Sequence, residues 1–317
     1  MKLTSIEQVQ QRVGKLSAPR DLKVIDYIDE HAQRWLSYSR FAFIGLGKAG
    51  SVQLSAAGGE AGFACVVDEK HLSIPVAALD ESSALESDCS FGALFMVSGM
   101  EETLRVNGAV SAIADGQMTL QVEECYLHCA KALKRSNFWQ PDSLGALEGD
   151  ASHLIQQSKF MALASINAAG QVDVSPKGDP ENFLIQEQDS CICFADRPGN
   201  RRIDSFRNIL EQPQVSVIAI VPGYASVLEI TGTAGVYADD PLLEKFAVKG
   251  KTPKVMTKIT ASTMSIKLSQ ALATSALWTT KAKPDDLKPA EIFKAHIQQS
   301  KEQSLQAKVA RAAVSVP

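Results

Sequence analysis

The chain has 317 residues, enough for two domains with sizeable cores, and its 45% apolar and 21% charged content is ordinary for a soluble globular protein. A net charge of −4 argues against general nucleic-acid binding, which needs a broad basic surface. No run of about 18 apolar residues is present to span a membrane. The start, MKLTSIEQVQQRVGKLSAP, lacks the apolar core of a signal peptide. The expected location is therefore the cytoplasm, with the six cysteines as reduced thiols.

Residues 1–35 read as a polar, helical lead-in that packs on the first domain. Short alternating or apolar runs follow at 41–46, 51–55, 62–67, 72–76, 91–98, 103–112 and 117–128. The stretch 140–152, QPDSLGALEGDAS, reads as a linker. A second series of runs lies at 160–166, 171–175, 182–186, 190–195, 214–221, 225–237 and 263–268. Helices are expected after Gly199, where Asn200 is a plausible N-cap and Pro213 lies beyond the end, and at 240–249 and 284–312. Many short strands rich in Val, Ile and Phe favour a mainly β protein, a β-barrel with peripheral helices in each half. The expected domains are 1–145, 150–280 and a helical tail, 281–317.

The two series are copies of one another. A shift of 120 places Gly50 on Gly170, Leu54 on Val174, Ser55 on Ser175 and Gly58 on Gly178. A shift of 124 places Gly99 on Gly223, Leu104 on Leu228 and Gly108 on Gly232, and a shift of 139 places Trp139 on Trp278. A repeat of this length is too long for a solenoid unit and reads as a duplicated domain, an internal pseudo-dimer. The copies have lost different cations. Copy two keeps Ser175, Lys177 and the run RPGNRRIDSFRN, where copy one has Ser55 and Ala57. Copy one keeps Arg105, Lys131, Lys134 and Arg135, where copy two has Glu229, Gln270, Ala273 and Thr274. Of two equivalent sites at a two-fold interface, one has decayed, and the survivor combines the front of copy two with the back of copy one.

Two patterns compete with this reading. Residues Gly45 to Gly50 fit the dinucleotide-binding G-x-G-x-x-G, with Asp68 beyond, but the segment after Gly50 alternates and contains a Gly pair, making it a poor helix. Its repeat partner keeps the turn and drops two of the glycines, so the tip reads as a hairpin. Cys125, His128 and Cys129 could be metal ligands, yet they lie in a strand-like run and no second ligand pair has finger-like spacing, so no metal is expected. The surviving site is more specific. Asn200, Arg201 and Arg202 stand where a loop enters a helix, a place that attracts phosphate, and the arginines add bidentate contacts. Asp173, Ser175 and Lys177 alternate along the preceding strand and share one face. A solvated basic turn is the competing explanation.

The segments VDVSPKGDPENFL, RPGNRRIDSFRNIL, EETLRVNG and ECYLHCAKALKRSNFW resemble the signature segments of pyridoxamine 5′-phosphate oxidase-related FMN-binding proteins. The resemblance spans roughly residues 40–280. It implies two tandem FMN-binding split barrels in one chain, with a composite FMN site between them. By this resemblance Ser175 and Lys177 contact the flavin ring edge or ribityl chain, and Arg201 and Arg202 hold its phosphate. Lys131, Lys134, Arg135 and Trp139 close the cleft from the other barrel, and Asp173, Arg197, Asn200, Ser205 and Arg105 are further cofactor-binding candidates. A cation near the flavin N1–O2 edge stabilises the anionic reduced form, with Lys177 the first candidate and Lys131 the second. The Arg-x-His pair with which true pyridoxamine phosphate oxidases grip their substrate is missing after both Trp139 and Trp278. The resemblance therefore implies an oxidoreductase acting on another small substrate or electron donor. A flavin carrier or sensor without turnover, and a related barrel adapted to haem or a deazaflavin, are the alternatives. The chain is expected to act as a monomeric pseudo-dimer, with further homodimerisation possible through the tail.

Overall fold

The computed structural model describes residues 1–16, 21–48, 50–128, 131–145, 149–199, 201–279 and 283–315. Its strands form two antiparallel sheets. After a two-residue strand β1 (Lys2–Leu3), the first sheet comprises β2 (Phe41–Lys48), β3 (Ser51–Gly58), β4 (Cys65–Asp68), β5 (His71–Pro75), β6 (Ser90–Met96), β7 (Thr103–Ala114) and β8 (Gln117–His128), in the spatial order β3-β2-β6-β7-β8-β5-β4. The second comprises β9 (Phe160–Ile166), β10 (Val172–Gly178), β11 (Gln186–Gln188), β12 (Cys191–Ala195), β13 (Gln214–Ile220), β14 (Ser226–Ala238) and β15 (Val255–Leu268), in the order β10-β9-β13-β14-β15-β12-β11. Each strand of the first sheet has its counterpart seven labels later in the second, in the same place. Even an irregularity is repeated: the long hairpin slips register at Asn107/Gly108 in one sheet and at Thr231/Gly232 in the other. The fold is thus mainly β and internally duplicated, with a split barrel in each half.

Each half has its own core, and a third core lies between them. Along β2, Ala42, Ile44 and Leu46 face the first core while Phe41 and Phe43 face the seam. Along β9, Met161 and Leu163 face the second core while Phe160, Ala162, Ala164 and Ile166 face the seam. Strands buried on both faces read as continuous apolar runs, which is why these segments do not alternate. Rings lock the seam: Phe43 stacks on Phe160 at 6.0 Å between centroids, and Phe138 meets Phe160 at 4.9 Å and Trp278 at 5.4 Å. The glycines of the nucleotide-like pattern belong here. A Cβ on Gly45 would lie 2.9 Å from Val172 Cγ1, and one on Gly47 would lie 2.6 Å from Val172 Cγ2. They are small so that β10 can lie against β2. No nucleotide-binding turn is formed, since β2 and β3 are a hairpin.

Several expectations change. The lead-in divides: β1 pairs with β14, and Val9 on the helix Ile6–Val13 joins the second core, not the first. Only the part after residue 20 covers barrel one, with Ile25, Ile28, Trp35 and Leu36 in its core. The helix after Gly199 begins at Asp204, with Ile203 in the capping position and Arg201 at φ 62°. Residue 200 lies outside the described residues. The run at 182–186 is mostly turn or bend, with the short β11 beginning at its last residue, and β15 begins eight residues before the expected run. Only a short 3₁₀ turn, Pro241–Phe246, forms within 240–249. The tail consists of two helices, Pro289–Gln299 and Leu305–Val314. Leu287 and Ile292 reach into the core of barrel one, so the tail packs on its own chain. Among the described residues no helix is long and apolar enough to cross a membrane.

Candidate functional site

The end of β8 and the helix Lys131–Arg135 meet β10 across the seam. A Cβ on Gly178 would lie 2.2 Å from the carbonyl oxygen of Ala132, so only glycine lets that helix come this close. The approach closes one wall of a cleft at the junction of the two halves. Barrel one contributes His128, Lys131, Ala132 and Arg135. Barrel two contributes Ser175, Lys177, Asp179, Asp196, Arg197, Arg202, Asp204 and Ser205, among others. The front of copy two and the back of copy one therefore share one cavity.

Each carboxylate of the cleft is tied to a cation. Arg197 Nε donates to Asp179 at 2.7 Å, and Arg135 Nε lies 3.6 Å from the same carboxylate while donating to the Gly178 carbonyl at 2.8 Å. Arg202 Nε donates to Asp204 at 3.0 Å, and its guanidinium lies 4.7 Å from the centre of the Tyr126 ring. Lys177 is held more loosely, 3.8 Å from Asp196 and 5.4 Å from the centre of the Phe206 ring. Burial pushes the Lys177 ammonium below the usual lysine range, with Asp196 opposing that shift only in part. Burial likewise lowers His128 well below the usual imidazole value, and Arg105, Lys23, Arg202 and Lys177 add to the shift. His128 is a neutral ring, 9% exposed, whose Nδ1 is buried with no hydrogen-bond partner among the described residues. Arg197 Nη2 is likewise buried with no partner among them.

The sequence candidates separate into three groups. Ser175, Lys177, Arg197, Arg202, Ser205, Lys131 and Arg135 line the cleft. Arg105 and Asp173 lie beneath it. Arg105 is fully buried, with Nη1 2.7 Å from Asp173, 3.3 Å from Asp204 and 2.9 Å from the Tyr126 hydroxyl, while Nη2 donates to the Val174 carbonyl and to Ser175 Oγ. Its role as a direct ligand contact is corrected by this enclosure: it joins β7 of barrel one to β10 of barrel two. Lys134, Trp139 and Arg201 point elsewhere. Lys134 pairs with Glu101 at 2.9 Å on the surface. Trp139 donates to the Met100 carbonyl and packs edge-on against Phe138. Arg201 lies against Gly14 at the end of the first helix. His128, Asp179, Asp196 and Asp204 were missed. Their signal was position, since His128 is two residues from Tyr126 on the same strand face, and each carboxylate stands within two residues of a candidate cation.

At the pseudo-equivalent position the cleft is filled. Leu79 bridges to Ala57, and Asp80 N–H donates to the Ala56 carbonyl at 2.9 Å. The Asp80 carboxylate accepts from Ala271 N–H at 2.8 Å and from the Ser269 hydroxyl, capping the helix Gln270–Ser275. Where Arg105 stands beneath the open cleft, its counterpart Glu229 pairs with Lys267 at 2.7 Å.

Fold and site together define a tandem split-barrel protein with one open, cation-rich cleft at the junction of its halves. Residues 147–274 are similar to the family whose model is described as pyridoxamine 5′-phosphate oxidase. Among solved structures, HupZ from Group A Streptococcus is similar at 14% identity and a TM-score of 0.31, covering 39% of this chain and 98% of its own. General Stress Protein 26 from Bacillus anthracis is similar at 18% identity and a TM-score of 0.29, covering 36% and 88%. HutZ from Vibrio cholerae, described as a heme storage protein, is similar at 14% identity and a TM-score of 0.28, covering 41% and 99%. No curated protein matches the chain.

Proposed function

We propose that the open cleft binds FMN, one per chain, and that the protein is a flavin-dependent oxidoreductase acting on a small substrate or electron donor. One observation carries this reading: five cationic and three anionic side chains line the cleft, a formal excess of two positive charges. That excess matches a phosphate monoester, which carries about −1.5 to −2 at neutral pH. The unpartnered Arg197 Nη2 and His128 ring are the groups that a polar ligand would satisfy. Bound there, FMN would supply two-electron chemistry that no side chain of the cleft can provide.

In this reading Arg197 and Arg202 hold the phosphate, each already oriented by an aspartate that fixes its planar fork. Ser175 and Lys177 face the cleft from β10, and Lys131, Arg135 and His128 close it from the other barrel. Lys177 holds a proton at Nζ that burial makes easier to release than that of an exposed lysine. While it keeps that proton it favours negative charge beside it. The missing Arg-x-His pair turns the proposal away from pyridoxamine phosphate as substrate. The neutral imidazole of His128 favours one alternative, iron of a haem, because an unprotonated ring is the form that ligates metal.

The purified protein tests these readings by its visible spectrum. Flavin bands at one equivalent per chain support the proposal, two equivalents would show that the filled cleft also binds, and a Soret band would favour haem. Anaerobic mixing with NADH or NADPH then separates an enzyme, which bleaches, from a carrier, which does not.

A further inference from the structure

Both barrels carry the same strand edge, and among the described residues only one is covered. In barrel one, β5 pairs with β8 only as far as Gln121. Further along, the extended segment around residue 25 takes over: Cys125 N–H donates to the Ile25 carbonyl at 2.7 Å, and Ile25 N–H donates back at 3.2 Å. Lys23 reaches the Leu127 carbonyl, and Cys125 and Leu127 are buried. In barrel two, β12 pairs with β15 only as far as Thr260. Beyond that point Ser262 to Leu268 are all exposed, including Met264 at 40%, Ile266 at 40% and Leu268 at 60%.

The repeated bulge fixes the equivalence, because Met264 pairs with Ile230 as Cys125 pairs with Val106. Cys125 directs its N–H and carbonyl away from β7, toward Ile25. In the same register Met264, Ile266 and Leu268 present theirs at the outer edge of β15. A long apolar edge of this kind is a template for strand addition. Barrel one demonstrates that its counterpart accepts an antiparallel partner.

We infer that this edge pairs with the same edge of a second copy of the chain, across a two-fold axis at Ile266. Antiparallel pairing about that axis sets Ile266 opposite its own copy and Met264 opposite the other copy's Leu268, giving apolar pairs on one face. Lys267 falls opposite Ser265, and its ammonium is already held by Glu229 at 2.7 Å and Glu81 at 3.6 Å, so like charges do not meet. An isologous contact closes on itself, so the assembly ends at a dimer of pseudo-dimers with one sheet continuous through the axis.

Sedimentation of the full-length chain over a concentration series tests this. Wild type should dimerise at micromolar concentration. Ile266→Lys, which sets two ammonium groups face to face on the axis, should raise the dimer dissociation constant by about a hundredfold or more. Ile266→Pro, which removes an outward N–H without breaking the β14 ladder, should also dissociate it. Unchanged thermal unfolding of the monomer would show that each variant still folds. A wild type that stays monomeric, including one whose edge is taken by a foreign extended peptide, would overturn the inference. So would a dimer that survives both substitutions.

Discussion

Arg105→Met removes a fully buried cation that joins the two barrels while keeping most of the side-chain length. Asp204 keeps Arg202 at 3.0 Å, so Asp173 is the carboxylate left stranded. At 7% exposed, it retains among the described residues the Ser175 hydroxyl at 3.0 Å. Breaking a buried pair from one side costs about 3–5 kcal/mol. The cost falls on the junction, because Arg105 lies on β7 while Asp173, Val174 and Ser175 lie on β10. Urea unfolding of wild type, Arg105→Met, Asp173→Asn and the double variant measures it. Each single variant should lose stability, and the double should lose clearly less than their sum, leaving a coupling of about 1.5 kcal/mol or more.

The pH dependence gives a second reading of the same variant. Burial already pushes Asp173 up, and without Arg105 the Ser175 hydrogen bond is left to oppose it, so its folded value stands further above the unfolded one of about 3.9. Stability from such a group is fully present below the unfolded value and is lost as pH rises through the folded one. The deficit of Arg105→Met should therefore shrink on acidification from neutral pH, and the double variant should show no such recovery. An Arg105→Met protein as stable as wild type would refute the reasoning. Normal stability with lost flavin would return Arg105 to the role of a ligand contact.

Replacing Arg197 or Arg202 with alanine should weaken FMN or inorganic phosphate binding by about tenfold to a hundredfold each, the worth of a charge-assisted hydrogen bond, whereas Arg201→Ala should leave titration calorimetry unchanged. His128, lowered by burial, takes up a proton on unfolding between its folded value and the ordinary value of about 6.5. Wild-type stability should thus fall as pH drops below that point, by at most about 1.4 kcal/mol per pH unit, and His128→Leu should remove this slope in urea titrations at several pH values. Asp80→Ala removes the acceptor at the start of the helix Gln270–Ser275 and should cost about 0.5–2 kcal/mol of unfolding free energy, with ligand affinity unchanged. Lost ligand affinity in that variant would mean the filled cleft is not independent of the open one.

The duplication was legible because both copies kept the same hairpin turns, the same long twisted hairpin and the same terminal tryptophan. The composite cleft was legible in its cations, since the two copies lost different ones. Direction was harder. A sequence shows that Arg105 and Leu104 face opposite sides of β7, but not which side the other barrel encloses. Arg201 and Arg202 are adjacent in the chain, and the positive φ of Arg201 sends one toward the first helix while the other stays over Tyr126. The resemblance has Trp139 close the cleft, yet its indole N–H donates to the Met100 carbonyl. His128 hid between two cysteines that drew attention to metal. Cys125 faces the core of barrel one, while His128 faces the cleft.

Joining two barrels in one chain frees their clefts from sharing a fate. In a two-fold homodimer, a glutamate in place of Arg105 would enter both sites at once. Here Glu229 enters only one, and the space it leaves is used differently. The segment 76–81 lies down on β3, Asp80 caps a helix of the opposite barrel, and Lys267 sits between Glu229 and Glu81. The Asp80 and Glu81 contacts cross between barrels as the Arg105 cluster does on the other side. The filled cleft thus acts as a second joint, opposite the one that carries Arg105. Restoring a cation at Ala57 would meet Leu79 and a closed backbone bridge. Reopening that cleft therefore requires moving a whole segment, not one side chain.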